Sequence, residues 1–386
     1  MLRLAERSRG HLVSAMQRIL CRAGLLLTAA FAALSVPASA QAARAPVSSH
    51  AMLYTCCTPL AMKDRIFAES AALGARYVRV DIELSAIFSR PGAPADWRQL
   101  DRVIELSRHY RLPVLGIMLG VPTWLSGCPE RPRDAPLCAP RDMRVYGQLA
   151  GAVAAHARGA IRHWEIGNEP DQSWAFKSGP ESYARMLSSA HDAIKRIAPQ
   201  AQVVMGGVGS PRTAGWAGRV FRTLGADAAR KFDIASVHVR GPLRTLPFRL
   251  GRWRRVLAAY GFHGPTWVTE HGYPSESGHQ DDRSFRGGPA AQAAFLRRSI
   301  LLLASAGAAE VFVTLRDNLG GRWASEGLVH IGGPPTFPVR RKPAFETVRQ
   351  LSAARRQPAE RFITVGSVIT ETAIESKELA APGPAW

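Results

Sequence analysis

Apolar residues along this chain gather in short β-branched runs. Each run is followed by a polar or Gly/Pro-rich loop and then by a longer stretch with apolar positions three to four residues apart. The runs are Met52–Thr55, Tyr77–Asp81, Val114–Leu119, His163–Gly167, Gln202–Met205, Ile234–His238, Thr266–Thr269 and Val311–Leu315. Between them, Trp97, Leu100 and Ile104 recur at i, i+3 and i+7, the segment 289–304 has helical spacing, and 343–353 predicts a last helix. Strands alternating with helices imply parallel βαβ units. Eight such units over roughly 300 residues predict a single α/β domain, a closed (β/α)8 TIM barrel rather than an open doubly wound sheet. The open sheet also lacks its signature. Gly206-Gly207-Val208-Gly209 does not have G-x-G-x-x-G spacing and reads as a turn.

Upstream of the barrel the pattern changes. An apolar run from Leu25 to Val36 follows Arg18 and Arg22 and precedes Pro37 and the small-residue site Ala38-Ser39-Ala40. A basic start, a short apolar stretch and an A-x-A site describe a secretory signal peptide at 1–40, cleaved after Ala40. Met16 is an alternative start, and an uncleaved amphipathic anchor is the rival reading. The expected division is signal peptide 1–40, linker 41–49, barrel 50–353 and C-terminal tail 354–386, with the protein periplasmic or secreted. No run reaches the roughly 18 apolar residues of a membrane span, so none is expected in the mature chain.

Export bears on the cysteines. Cys56, Cys57, Cys128 and Cys138 follow the leader, an even number in an oxidising compartment. Cys128 and Cys138 share a Pro-rich loop and are expected to close it. A bond between the adjacent Cys56 and Cys57 would be strained. No Cys/His spacing matches a zinc site, and neither a metal nor another cofactor is expected.

The 386-residue chain has 50 Lys+Arg against 30 Asp+Glu, a formal charge of +20. Only 6 of the basic residues are lysine and 44 are arginine. They are scattered rather than set in a stripe interleaved with aromatics, so nucleic acid is not the expected partner. Loss of residues 1–40 would remove five Arg and one Glu and leave +16. That charge suits acidic polysaccharides and anionic surfaces, an attraction that salt screens.

Chemistry in a parallel barrel sits where strands end. The fourth run continues as Trp164-Glu165-Ile166-Gly167-Asn168-Glu169-Pro170, and the seventh as Trp267-Val268-Thr269-Glu270-His271-Gly272-Tyr273-Pro274. With period-2 alternation, Glu165, Gly167 and Glu169 share a face, as do Thr266, Val268 and Glu270. If both faces point inward, Glu169 and Glu270 meet across the barrel mouth. Glycoside hydrolysis needs such a pair, an acid at the leaving oxygen and a carboxylate opposite the anomeric carbon. Trp164 and Trp267 would then face the core. Glu165 reads as a buried structural carboxylate.

Asn168-Glu169-Pro170 with Thr269-Glu270-His271-Gly272 resembles the clan A glycoside hydrolases, especially family 39 and its family 5 relatives. Val78-Arg79-Val80-Asp81, Ala235-Ser236-Val237-His238 and Leu315-Arg316-Asp317 extend the resemblance over about residues 50–353. It implies an O-glycosyl hydrolase that retains configuration, with Glu169 as acid/base and Glu270 as nucleophile. It further implies Arg79 as the cation holding Glu270, Asn168 as donor to the sugar 2-hydroxyl, and His238 at the mouth. Arg79 as ion-pair partner of Glu165 or Asp81, and His238 as a core histidine, are the alternatives. Trp124, Trp174, Tyr273 and Trp323 fall in loops on the binding side and are candidate sugar platforms. Four positions depart from the family pattern: Gly167 and His271 stand where aromatics are common, strand 8 lacks its Trp or Tyr, and Val239-Arg240 replaces Pro-Tyr after His238. Those departures leave the substrate open. The expected partner is a polysaccharide or oligosaccharide, acidic ones included, and the expected state a monomer. An exo-acting β-xylosidase-like enzyme and a catalytically weak carbohydrate-binding barrel are the alternatives.

Overall fold

Each β-branched run pairs with a neighbouring strand, as parallel strands must when helices return the chain over one face. The computed structural model describes residues 45–353 apart from 55, 158, 210–213, 277–286 and 318–322, all within one unit, Arg44–Arg355. The expected signal peptide and C-terminal tail lie outside the described residues.

The strands are β1 (Val47–Tyr54), β2 (Val78–Glu83), β3 (Val114–Leu119), β4 (His163–Ile166), β5 (Gln202–Met205), β6 (Ala235–His238), β7 (Thr266–His271) and β8 (Glu310–Thr314). The helices that follow them in turn are α1 (Leu60–Ala72), α2 (Arg98–His109), α3 (Met143–His156), α4 (Gly179–Ile197), α5 (Ala214–Leu224), α6 (Leu246–Ala259), α7 (Gly288–Ser305) and α8 (Pro343–Ala353). Strand order is β5-β4-β3-β2-β1-β8-β7-β6, with every pairing parallel. Isolated parallel bridges Val204↔Ile234 and Val208↔Val237 join β5 to β6 and close the barrel. A short hairpin, β9 (Val329–Ile331) and β10 (Val339–Arg341), lies outside it. Among the described residues, no helix is long and apolar enough to cross a membrane.

Strand β1 begins five residues before the apolar run and takes in residues expected in the linker. Ser48 and Ser49 hid it, because serine has no strand preference. Both hydroxyls are buried and satisfied, Ser48 donating to Glu310 Oε1 (2.8 Å) and Ser49 to Ser70 Oγ (2.8 Å). Helix α4 shows why the outer ring forms: Tyr183, Ala184, Leu187, Ala190 and Ile194 recur at three- and four-residue steps and are buried.

The interior is sorted by height. Tyr77, Leu115, Val204, Ile234, Trp267 and Phe312 form an apolar cluster separate from the one under the helices. The Tyr77, His163 and Trp267 rings pack edge-on and tilted on this floor with centroids 5.0 to 5.3 Å apart. Trp164 packs instead in the cluster under the helices, where a side chain on Gly116 would strike its ring at 2.8 Å. Above the floor, towards the strand ends, the interior becomes polar. Cys128 and Cys138 are bonded, as their shared loop suggested. Cys56 and Cys57 are bonded too, against expectation. The chain turns tightly there, the N–H groups of Cys57 and Thr58 both reaching the Tyr54 carbonyl.

Candidate active site

A buried guanidinium must find counter-charges, and Arg79 of β2, 1 % exposed, organises the centre of the barrel. Its Nε and Nη2 donate to Glu165 (2.7 and 3.3 Å), Nη2 also to Asn168 Oδ1 (2.7 Å), and Nη1 to Glu270 Oε1 (2.9 Å). The two readings of Arg79 therefore hold together: it pairs with Glu165 and holds Glu270. Glu165, fully buried, also accepts from the Gly207 N–H (2.8 Å) and Ser236 Oγ (3.1 Å). Asn168 offers its oxygen to Arg79, which leaves its amide N–H groups for another acceptor.

Glu270 enters the mouth by a route that alternation does not predict. Thr266, Val268 and Glu270 do not share an inward face. Trp267 points into the barrel and Val268 packs under the helices. Register then slips: Val237 pairs with Val268 but His238 with Glu270, and Val268 with Val311 but His271 with Val313. One extra residue on β7 forms a β-bulge, which re-aims the side chain that follows. His271 consequently points outward, bonded to the Val239 carbonyl and Ser299 Oγ of α7 (2.7 Å each).

Glu169 arrives by a turn. Strand β4 ends at Ile166, Gly167 has φ +77° and Glu169 itself φ +43°, a conformation that costs a non-glycine residue about 1 kcal/mol or more. Its N–H is fixed by the Gly207 carbonyl at 2.9 Å. The two glutamates thus meet across the mouth. Carboxylate oxygens of Glu169 and Glu270 and a ring nitrogen of His238 lie within 4.8 Å of one another. His238 Nδ1 is 2.7 Å from Glu169 Oε1 and 3.5 Å from Glu270 Oε2. His238 is therefore part of the site, although its ring is buried.

Three neighbours lacked a signal in the strand pattern. His50 of β1, two residues ahead of the first apolar run, sets Nε2 3.6 Å from Glu270 Oε1. Arg240, noted only as a departure from Pro-Tyr, donates Nη1 to Glu270 Oε2 (3.1 Å) and also pairs with Glu326 (2.6 Å). Glu326 lies in a loop with no motif.

Burial would raise the Glu270 carboxyl, but the positive charge of His238, Arg240 and Arg79 outweighs it and holds the group well below the usual range. Burial lowers His50 to about 3, so this imidazole is neutral. It raises Asp81, on the same side of β2, to about 8 against the pull of Arg79. Glu169, His238 and Glu270 are close enough to ligate one cation. Two guanidinium groups on Glu270 make that an unfavourable place for a further positive charge.

The candidate platforms separate. The Trp323 ring lies under the Arg240 guanidinium, 5.0 Å away, and so belongs to the site wall. Trp174, 58 % exposed, stands open in the loop after β4. Trp124 follows β3, its indole N–H fixed to the Phe88 carbonyl at 2.8 Å. Tyr273 is a correction: only 4 % exposed, it packs on Phe295 of α7 at 4.5 Å and is core, not platform. The chain leaves β7 towards α7, where Gln292 binds the Tyr273 carbonyl.

The glycine stretch after β5 has its use here. A Cβ on Gly207 would collide with His238 Nε2 and meet Thr269 Oγ1 at 2.7 Å, and one on Gly209 would lie 2.6 Å from Glu169 Oε1. At Gly209 the obstructing group is the movable end of the Glu169 side chain, so Gly209→Ala is expected to cost about 1 kcal/mol of stability or less. The displaced Glu169 is expected to lower kcat/KM about 100-fold. Thermal melting and kinetics on one preparation check both.

Stability should also depend on pH. Burial lowers His50 to about 3, and His163 and His271 to about 4, while it raises Asp81 to about 8 and Glu310 to about 7. Between about pH 4.5 and 6.5 the unfolded chain binds three histidine protons that the fold excludes, and the fold keeps two carboxyl protons that the unfolded chain has lost. The difference of one proton predicts a rise of about 1.4 kcal/mol per pH unit across this window. Above about pH 6.5 only the carboxyls differ, and stability should decline towards pH 8. Urea midpoints that fall from pH 5 to 6.5 would contradict this balance.

No family model and no curated protein matches the chain. Solved structures of similar fold do. A family 39 glycoside hydrolase from Bacteroides cellulosilyticus has 17% identity and a TM-score of 0.56, over 80% of this chain and 64% of that one. A monomeric β-xylosidase from Caulobacter crescentus has 18% identity and a TM-score of 0.59, over 82% and 70%. A GH5_18 enzyme from Streptomyces cattleya, in complex with Manβ1-4GlcNAc, has 16% identity and a TM-score of 0.59, over 80% of both chains. The chain spans less than two thirds of the Bacteroides enzyme's length. The Bacteroides enzyme is of family 39 and the Streptomyces enzyme of family 5, the two families that the strand-end motifs resemble.

Proposed function

We propose that this chain is an exported retaining glycoside hydrolase that cleaves O-glycosidic bonds of a polysaccharide, with Glu169 as acid/base and Glu270 as nucleophile. The observation that carries the reading is the carboxylate pair, with one oxygen of each within 4.8 Å of the other and flanked by Arg79 and Arg240. Retaining enzymes set their carboxyls about 5–5.5 Å apart, whereas inverting ones need about 6.5–9.5 Å to admit water. Glu270, held ionised, attacks the anomeric carbon while Glu169 protonates the departing oxygen. The resulting ester is hydrolysed by water that passes its proton to Glu169. Asn168 would donate to the 2-hydroxyl, and Trp323 and Trp174 would stack on sugar faces.

The leader supports a periplasmic or secreted location, and the charge left after residues 1–40, +16, supports an acidic polymer. The test is a panel of aryl glycosides and neutral and uronic-acid-containing polysaccharides, with the first-formed anomer followed by NMR. Hydrolysis with retained configuration is expected, weakening with salt on acidic polymers. Glycan binding without hydrolysis would replace the reading with a carbohydrate-binding barrel. The opposite anomer as first product would refute retention.

A further inference from the structure

Along the barrel mouth the charges alternate, in the order Glu165, Arg79, Glu270, Arg240, Glu326. Arg79 touches Glu165 at 2.7 Å and Glu270 at 2.9 Å, while Arg240 touches Glu270 at 3.1 Å and Glu326 at 2.6 Å. We infer that Arg240 and Glu326 form a charge-compensated clamp on Oε2 of Glu270, with Glu326 acting through Arg240 as a positioning residue. The inference rests on Glu270 being the nucleophile.

The geometry is built for this. Arg240 spends Nε (3.2 Å) and Nη2 (2.6 Å) on the two oxygens of Glu326 and keeps Nη1 for Glu270. Such a forked pairing fixes the plane of the guanidinium. Trp323 backs that plane, and Thr314 at the end of β8 donates to Glu326 Oε1 at 2.8 Å. Gly272 makes room, since a Cβ there would lie 2.7 Å from the Glu326 carboxyl carbon. The clamp therefore draws on the ends of β6, β7 and β8.

Its value lies in what happens when Glu270 reacts. The carboxylate oxygen forms a bond to the anomeric carbon, the bond from that carbon to the leaving oxygen breaks, and the leaving oxygen takes the Glu169 proton. Glu270 is then a neutral ester. A buried guanidinium left without a counter-ion would be costly. Here neither is: Arg79 keeps Glu165 and Arg240 keeps Glu326. A cation without a partner of its own would instead stabilise the free carboxylate too strongly and weaken its attack.

The clamp predicts opposite movements of one observable, the acid limb of kcat/KM, which reports ionisation of the nucleophile in the free enzyme. The charged and titratable groups facing Glu270 are His50 and Tyr54 on β1, Arg79 and Asp81 on β2, Glu165 and Glu169 at β4, and His238 and Arg240 at β6. Arg316, past β8, faces Asp81 and Tyr54. All are unchanged in the variants that follow, except Arg240. Arg240→Gln removes a cation and should move the limb up by about one pH unit. Glu326→Gln frees the cation towards Glu270 and should move it down by about half a unit or more. Arg240→Lys should keep the limb near wild type while kcat falls about tenfold, because the fork is lost. Each profile is recorded beside a melting curve, on a glycoside that wild type hydrolyses. Limbs that stay in place, or shift in the same direction for both Gln variants, would overturn the clamp and leave the glycosidase reading intact. An inactive wild type would instead remove the premise.

Discussion

Replacing Glu270 by alanine is expected to lower kcat/KM by about 10⁴-fold or more on any glycoside that wild type hydrolyses, equivalent to about 5 kcal/mol of transition-state stabilisation. The size follows from its position. Glu270 Oε1 is held by Arg79 and Oε2 by Arg240, so the carboxylate is aimed before substrate binds. Alanine removes the atom that would bond to the anomeric carbon, and no other carboxylate of the site can reach into its place, since Glu165 is tied to Arg79, Gly207 and Ser236. Azide added to Glu270→Ala should restore turnover on an activated aryl glycoside and give a glycosyl azide of inverted configuration. Glu169→Ala is expected to lose less on the same substrate, because a good leaving group needs no proton, and azide should there give the retained product. These assignments are wrong if the two variants yield the same azide anomer, or if Glu270→Ala keeps more than a few per cent of the activity.

The second large effect falls on the fold. Arg79→Met is expected to destabilise the barrel by about 3–5 kcal/mol, because it strips the counter-charge from a fully buried Glu165. The Gly207 N–H and Ser236 hydroxyl stay bonded to Glu165 and limit the loss without neutralising the charge. Adding Glu165→Gln to Arg79→Met should recover much of the stability by removing the stranded anion. It should not recover activity, because Glu270 Oε1 and Asn168 Oδ1 have then both lost their donor. Urea denaturation of wild type, the single and the double variant measures the coupling. Additive losses would mean that Glu165 is satisfied without Arg79.

Much of this architecture could be read along the chain. The third and fifth strands have the limits that their runs predicted, and β8 and α7 differ from theirs only at the ends. Segment 343–353 forms α8 as its apolar spacing required. The pair Glu169 and Glu270 stood out because each closes a β-branched run. Side-chain direction was less legible. Period-2 alternation assumes an unbroken ladder: it put Trp267 and Val268 on the wrong faces because β7 is bulged, and Glu270 and Glu169 reach the mouth it predicted only through that bulge and through a turn after β4, which stops three residues before Glu169. Arg240 and Glu326 are 86 residues apart, and nothing local ties one to the other. The glycines after β5 read as a turn, and their need for empty space is evident only beside Glu169 and His238.

The sequence by itself determined the βα order, the barrel and the two strand ends at which carboxylates emerge, because apolar period and turn chemistry act over a few residues. Only the tertiary structure decided which side chains face each other: the bulge that aims Glu270, the left-handed turn that aims Glu169, and the alternating charges that surround them. A lateral contact between strands far apart in the chain depends on register, and register is settled by the closed ladder rather than by any one of its segments.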